Sequence, residues 1–456
     1  MTRDPEYIIL GEWILSSNDT LLTNGAVVIG SGYIIEVGGQ EDIIQKYPSI
    51  NKIGGKNHFV IPGMISTHTH LFQTFLKGIG QNLSLRPWVQ NVTSPAAITL
   101  NEKEAYFSAA FGILDAVHSG TTSIFEFSYA FPDHHIFDAI VQAYVDLGVR
   151  GWLGIGINDD GEQYGVNPAL IQPLDKIIHR LDILKKSIRE QSQGLVEPAI
   201  VTSSIRGLSK TGFQEIFRYA HSNNLIFSMH VNEAANDNDV AQEKFNNQLI
   251  PALEEMGILT NQFLAVHCVC LTQEDIFILA ENGVHISHNP VSNMYLGSGI
   301  APVVEMIHAG IPISLGVDGA ASNNGQDMLE NLKFSVLGQR VRQKNSNCFH
   351  AIDALQMATE GGAKALQASN QLGMIKPGYK ADLTVLNFNS AKSNPVFDPI
   401  ATLVFNSSPE MVDTVFIDGK IVLQNGKVIK VDEEKIIQEG NVAAKELIKR
   451  AKIQTR

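Results

Sequence analysis

Apolar positions change their rhythm twice along the chain. Across the first sixty residues they form short β-branched runs, YIIL, GAVVI and YIIEVG, parted by Gly-, Asn- and Ser-containing turns, the pattern of short strands. From HFVIPGMISTHTH onward, for roughly 250 residues, short β-rich apolar runs alternate with segments of helical period. The runs at 60–66, 121–127, 149–156, 197–203, 225–231, 263–269, 284–287 and 312–317 read as parallel strands covered on both faces. Helical spacing marks 101–119, 133–147, 211–222, 273–282 and 302–309 between them. The first of these starts on a capping-box pair, Asn101 and Glu104, and stops at Gly120. Further helical patterns at 326–342, 351–359 and 362–369 follow, and strand character returns in ADLTVLNF, VDTVFIDG and KIVLQNG. A charged helix at 433–450 closes the pattern.

Eight strands with helices between them is the count of a closed parallel (β/α)8 barrel of TIM type, a doubly wound open sheet being the alternative. The strands before and after this region find partners most simply in each other. The expected layout is a small β-sandwich domain from residues 1–61 plus 382–432, a (β/α)8 barrel from 62–381, and a C-terminal helix in 433–456 packed on one side.

Composition narrows the setting. At 44% apolar and 18% charged, the 456 residues are ordinary globular material. The net charge of -13 argues against nucleic acid or an anionic membrane as partner. The start, MTRDPEYIIL, has neither the basic region nor the long apolar core of a signal peptide, and no apolar run reaches the length of a membrane span. Three cysteines, Cys268, Cys270 and Cys348, are too few for a disulfide framework and suit a reducing, cytoplasmic setting. Cys268 and Cys270 lack the spacing of a redox or zinc-ribbon motif, so both are expected as plain buried residues.

The chemistry lies where polar residues end the apolar strands. His68 and His70 close the first barrel strand, His230 the fifth, His267 the sixth, His288 the seventh and Asp318 the eighth. All are C-terminal strand ends, the face of such a barrel that bears active sites. Two residues apart on an extended strand, His68 and His70 send both imidazoles to one side. A lone histidine on an apolar strand is more often a hydrogen-bonded core residue, and one HxH among 14 histidines decides little. Four ligand-type residues in matching phase, His68, His70, His230 and Asp318, make a metal site. Glu233, three residues beyond His230, can reach the mouth as a proton carrier; an exposed loop acid is the bland alternative. His288, preceding Asn-Pro, is expected behind the site, holding a ligand or the catalytic carboxylate in place.

PGMISTHTH, SMHVNE, AVHC, SHNPVSNMYLGSGIAPV and LGVDGAASNNGQDM closely resemble the amidohydrolase superfamily. The branch is the one holding S-adenosylhomocysteine/methylthioadenosine deaminases and the chlorohydrolase-like triazine hydrolases. GMIKPGYKADLTVLN resembles that family's return into its small β-domain. The resemblance implies His68, His70, His230 and Asp318 as ligands of one divalent metal, zinc in the first place and iron in the second. It implies Glu233 as the proton shuttle and His267 as the histidine that orients water and substrate. Two-metal branches carry a carboxylated lysine at the end of strand four, where this chain reads IVTSSIRG; one metal is the consequence. A metal so held lowers the pKa of its water from near 16 towards ~7. Asp318 is expected to give one oxygen to the metal and to take the water's proton with the other.

The activity implied is hydrolysis of non-peptide C–N bonds in cyclic amidines. Water replaces the amino group of a purine-, pterin-, pyrimidine- or triazine-type heterocycle, and Glu233 supplies the proton that ammonia needs to leave. The alternatives are displacement of chloride or alkylamine from a triazine-like ring, and deamination of nucleosides of the S-adenosylhomocysteine/methylthioadenosine type. A barrel that has become a binding scaffold is disfavoured, because every ligand is in place. The branch's nucleoside-binding set reads as missing: SPAAITL stands where an acid is expected after Trp88, GWLGIGIN holds no arginine, and Ser203, Ser204 and Arg206 replace a histidine. Gln73, Trp88, Tyr129, Asn158 and Arg206 are the mouth residues that can meet substrate, Trp88 by stacking on a flat ring and Arg206 by pairing with an anion. Loop packing is the bland reading for each. A homo-oligomer, dimer or larger, is expected, with a small heterocycle as the partner.

Overall fold

The structure, a computed structural model, describes residues 4–16 and 20–455; the first three residues of MTRDPEYIIL, part of the turn after YIIL, and Arg456 of the expected C-terminal segment lie outside them. The strands form two sheets of eight. In one, β5 (Met64–Thr69), β6 (Thr121–Phe127), β7 (Arg150–Ile157), β8 (Val196–Thr202), β9 (Phe227–Val231), β10 (Phe263–His267), β11 (His285–His288) and β12 (Ile313–Leu315) lie side by side in chain order. Every ladder among them is parallel. β5, β6, β7, β10 and β12 are buried at every position, so none needs a solvent-facing alternation of polar and apolar residues.

Individual hydrogen bonds close the seam between β12 and β5. Val317 N and Asp318 N donate to His68 O at 3.2 and 3.0 Å, and Thr67 Oγ1 donates to Leu315 O at 3.1 Å. The expected (β/α)8 barrel is present, and its seam ends beside two of the polar strand-end residues.

The other sheet joins β1 (Tyr7–Leu15), β2 (Leu21–Gly30), β3 (Tyr33–Gly39) and β4 (Asn51–Pro62) to β13 (Leu383–Asn387), β14 (Val412–Ile417), β15 (Lys420–Gln424) and β16 (Lys427–Val428). β4 pairs parallel with β1 and antiparallel with β13, so the two ends of the chain meet at its centre. The sheet curls until distant strands touch: Ala381 N donates to Gly32 O, and the rings of Tyr7 and Phe416 lie 5.9 Å apart. Ile9, Val27, Val60, Leu383 and Val385 fill the space it encloses. Arg150, at the start of β7, ties the barrel to this sheet, with Nε 2.8 Å from Asp382 Oδ2 and Nη2 2.7 Å from Asp418 Oδ1.

The apolar run at 60–66 is two strands, not one. Val60 and Pro62 pair with Val385 and Leu383 in β4, whereas Met64 already belongs to β5. The chain crosses over at Gly63, where a Cβ would stand 2.2 Å from Thr122 Oγ1. The end of β4 and all of β5 are buried, so the pattern carries no break there.

Helices occupy most of the expected places, among them Glu102–His118 with its reciprocal Asn101–Glu104 box, His135–Leu147, Lys210–Ser222 and Met328–Gln343. Leu174–Ser192 had no counterpart in the sequence reading, although Ile177, Leu181, Leu184 and Ile188 form one buried stripe at helical spacing. The pattern at 362–369 shortens to Gly362–Ala365. Glu433–Arg450 packs across the start and end of Glu102–His118, with Glu433 3.0 Å from His118 and Arg450 donating to Thr99 O at 2.8 Å. All three cysteines are free; Cys268 is buried, but Cys270 is only partly so. Among the described residues no helix is long and apolar enough to cross a membrane.

Candidate active site

His68 lies near the end of β5, and His70 follows where the strand gives way to the turn Leu71–Leu76. The ring of His230, on β9, meets both: the His68–His70, His68–His230 and His70–His230 centroids are 4.8, 5.0 and 5.3 Å apart. His70 Nδ1 donates to Phe127 O at 2.6 Å and His230 Nδ1 to Ser203 O at 2.5 Å. These bonds assign the ring proton to Nδ1 and leave each Nε2 with a lone pair. The two Nε2 atoms are 3.3 Å apart, with no proton to share. Two nitrogens bound to one tetrahedral ion at 2.0–2.1 Å stand about 3.3 Å from each other. His68 is buried with neither ring nitrogen hydrogen-bonded, and its Nε2 is 3.2 Å from Asp318 Oδ1. His70 Nε2 is 3.5 Å from the same oxygen. Burial lowers the pKa of all three imidazoles, that of His70 to about 3, which keeps them neutral. Three neutral nitrogens and a carboxylate oxygen converging on one point fit a divalent cation.

Asp318 and His267 both have left-handed backbones, φ 64° and 74°, which non-glycine residues adopt only when the surroundings enforce it. The turn after each strand is bent so that its side chain enters the mouth. Gly319 completes the turn, since a Cβ there would stand 2.0 Å from Gln73 Oε1 and 3.1 Å from His70 Cβ. The hydroxyls of Ser292 and Ser322 donate to Asp318 Oδ2, the second at 3.0 Å. Oδ1 is thus the oxygen that faces the imidazoles. Oδ2, the oxygen expected to be free for a water proton, already accepts both hydroxyls.

His267 Nδ1 is 2.8 Å from Asn293 Oδ1, and its Nε2 is 3.7 Å from Glu233 Oε2. Burial pushes the Glu233 carboxyl up to about 7; His267 opposes that shift, and Asp318 and Asp237 add to it. A carboxyl half-protonated near neutrality can both take and give a proton. His288 is buried, but neither ring nitrogen makes a hydrogen bond, and burial lowers its pKa to about 3. The holding role expected of it falls to Ser292 and Ser322. Glu126, in β6, escaped the sequence reading: it accepts Leu71 N at 2.6 Å and Ser128 Oγ at 3.0 Å, bracing the chain just after His70. Its signal was a single acid inside the buried strand TTSIFEF.

Over these groups lies a cavity of about 170 Å³. Trp88, Tyr129, Asn158 and Arg206 line it as expected. Gln73 does not; it is fully buried against Gly319, with no hydrogen bond to its amide. Arg206 is not free to meet an anion, because its Nη1 lies 2.5 Å from Asp237 Oδ1. Asp237 itself lines the cavity, brought there by the turn into the helix Asn236–Phe245.

Residues 59–422 match the Amidohydrolase family. Relatives include the 5'-deoxyadenosine deaminase of Methanopyrus kandleri, 32% identical over 395 residues that cover 86% of this chain and 88% of the relative. Another is the 5-methylthioadenosine/S-adenosylhomocysteine deaminase of Clostridium tetani, 32% identical over 386 residues, 84% of this chain and 86% of the relative. An adenosine deaminase from Xanthomonas campestris, crystallised with bound zinc, shares the fold with a TM-score of 0.90 at 23% identity, over 98% of both chains. The match takes in the whole barrel together with the end of β4, all of β13 and β14, and the start of β15 in the flanking sheet, and on these grounds the chain belongs to the amidohydrolase family.

Proposed function

We propose that the protein is a metal-dependent aminohydrolase that replaces the amino group of an adenosine-type or related N-heterocyclic substrate with water and releases ammonia. The observation that carries this reading is the meeting of three neutral imidazoles and Asp318 Oδ1 at one point, with Glu233 beside it at the His267 edge. His68, His70, His230 and Asp318 would hold one divalent cation, zinc in the first place, which supplies Lewis-acid activation of water when bound. Glu233 carries a proton to the ring nitrogen next to the reacting carbon and another to the departing amine, which leaves readily only when protonated. His267, with its Nδ1 donating to Asn293, turns an Nε2 lone pair toward the same point and can hold a water O–H there. Trp88 and Tyr129 offer flat faces to a heterocycle. Three free cysteines support a reducing, cytoplasmic setting.

The acid, the arginine and the histidine of the branch's nucleoside-binding set are absent from the expected places, which weighs against nucleosides. Asp237 on the cavity wall and the adenosine-type substrates named for both relatives bring them forward. The test is an ammonia-release screen of zinc-loaded protein against 5'-deoxyadenosine, adenosine, guanine, a pterin, cytosine and an aminotriazine. Release from the adenosine-type nucleosides ahead of the others is expected. A protein that binds stoichiometric zinc and releases ammonia from none of them would overturn the proposal.

A further inference from the structure

One wall of the cavity is polar and unusually well fixed. The loop after β8 carries Arg206, and Lys244 Nζ gathers that loop by its carbonyls: Ile205 O, Arg206 O and Leu208 O lie at 3.3, 3.1 and 2.8 Å. The same ammonium is 2.9 Å from Asp160 Oδ2, and its side chain is only 5% exposed. Asp159 anchors the far end by accepting Ser209 N at 2.7 Å. Arg206 is therefore presented on a rigid support, and its guanidinium reaches Asp237 Oδ1 at 2.5 Å and Asn236 O at 3.4 Å.

The charge of Arg206 is matched by Asp237, so this wall offers an anion no uncompensated positive charge. What it does offer is the other oxygen of Asp237. Among the described residues Oδ2 accepts no hydrogen bond, and Asp237 lines the cavity. A carboxylate oxygen without a donor, on a residue that lines the cavity and is pre-positioned by an ion pair, is an acceptor for a neutral O–H or N–H donor, and a charged acceptor makes the stronger kind of hydrogen bond.

We propose that Asp237, held in place by Arg206, is a specificity-determining residue that reads a neutral hydroxyl or N–H donor on the substrate. The assignment rests on the aminohydrolase reading for the identity of the reaction, but not for the binding itself. The test compares wild type with Asp237→Asn and Asp237→Glu, all checked for unchanged zinc content and melting. The probes are 5'-deoxyadenosine, its 2',3'-dideoxy analogue and adenine, each followed by ammonia release and by calorimetric binding to the metal-stripped protein.

Asp237→Asn should raise KM and Kd for 5'-deoxyadenosine about tenfold with kcat changed less than threefold, and Asp237→Glu should recover part of the loss. If the donors are sugar hydroxyls, the dideoxy analogue binds wild type and Asp237→Asn alike. If the donor is on the base, adenine loses affinity as well; either pattern supports the assignment. Values for Asp237→Asn within twofold of wild type on every probe overturn it, and turnover by wild type would then leave the aminohydrolase reading standing. If wild type releases no ammonia, that reading fails and binding alone decides: a weakened Asp237→Asn upholds the acceptor, and equal or absent binding overturns it.

Discussion

Replacing Glu233 with glutamine removes a carboxyl that burial has pushed from 4.5 to about 7. A rise of that size corresponds to about 3 kcal/mol between folded and unfolded chain. The sign follows from proton counting. Between pH 4.5 and 7 the folded protein holds this proton while the unfolded chain has released it, so stability falls as pH rises through that window. Above the window the full cost of the buried carboxylate remains. In the metal-stripped protein, Glu233→Gln should therefore match wild type near pH 4.5 and exceed its stability by about 3 kcal/mol at pH 8. Urea unfolding of both proteins across this range measures it directly. Parallel pH profiles for the two proteins would refute the claim that burial perturbs this group. In the zinc-loaded protein the same variant should keep its metal, because Glu233 is outside the donor set, and lose about 10²- to 10⁴-fold in ammonia release. Undiminished turnover would remove the proton-carrying role.

Other perturbations separate the parts of the site. His230→Ala takes away one of the two Nε2 atoms 3.3 Å apart and should abolish both zinc retention and turnover; a fully loaded, active variant would refute the ligand assignment. Ser292→Ala frees Asp318 Oδ2 from one of its two hydroxyl donors and should weaken zinc binding about 10- to 100-fold, read by competition with a chelating dye. Unchanged zinc affinity would show that Ser322 alone suffices. Arg150→Ala leaves Asp382 buried without its cation, with only the Asp418 N–H still donating to it, and should cost about 3–5 kcal/mol in unfolding free energy while zinc stoichiometry stays the same. A loss below about 1 kcal/mol would place that ion pair among those that contribute little.

Local pattern carried much of this protein. Strands buried on both faces need no solvent-facing alternation, so the barrel strands showed as short runs of apolar and small hydroxyl residues, and the histidines and the aspartate at their ends stood out as the ligand-type groups. That is why His68, His70, His230, His267 and Asp318 were legible without coordinates. The helix Leu174–Ser192 carries an equally plain signal, with Ile177, Leu181, Leu184 and Ile188 on one stripe at helical spacing. Burial on every side also erased a boundary, since β4 and β5 look like one strand across Gly63.

Only the tertiary structure decided who faces whom. Whether Asp318 reaches His68 depends on the barrel closing between β12 and β5, and on Ser292 and Ser322 turning one carboxylate oxygen away and the other inward. Gln73 fell into the interior and His288 went without a hydrogen bond, while Asp237 and Arg206, 31 residues apart, met on the cavity wall. Periodicity states which side of an element is covered, because that side must be apolar. It does not state what covers it, because the partner comes from another part of the chain and is chosen by packing and hydrogen-bond satisfaction among all the elements at once.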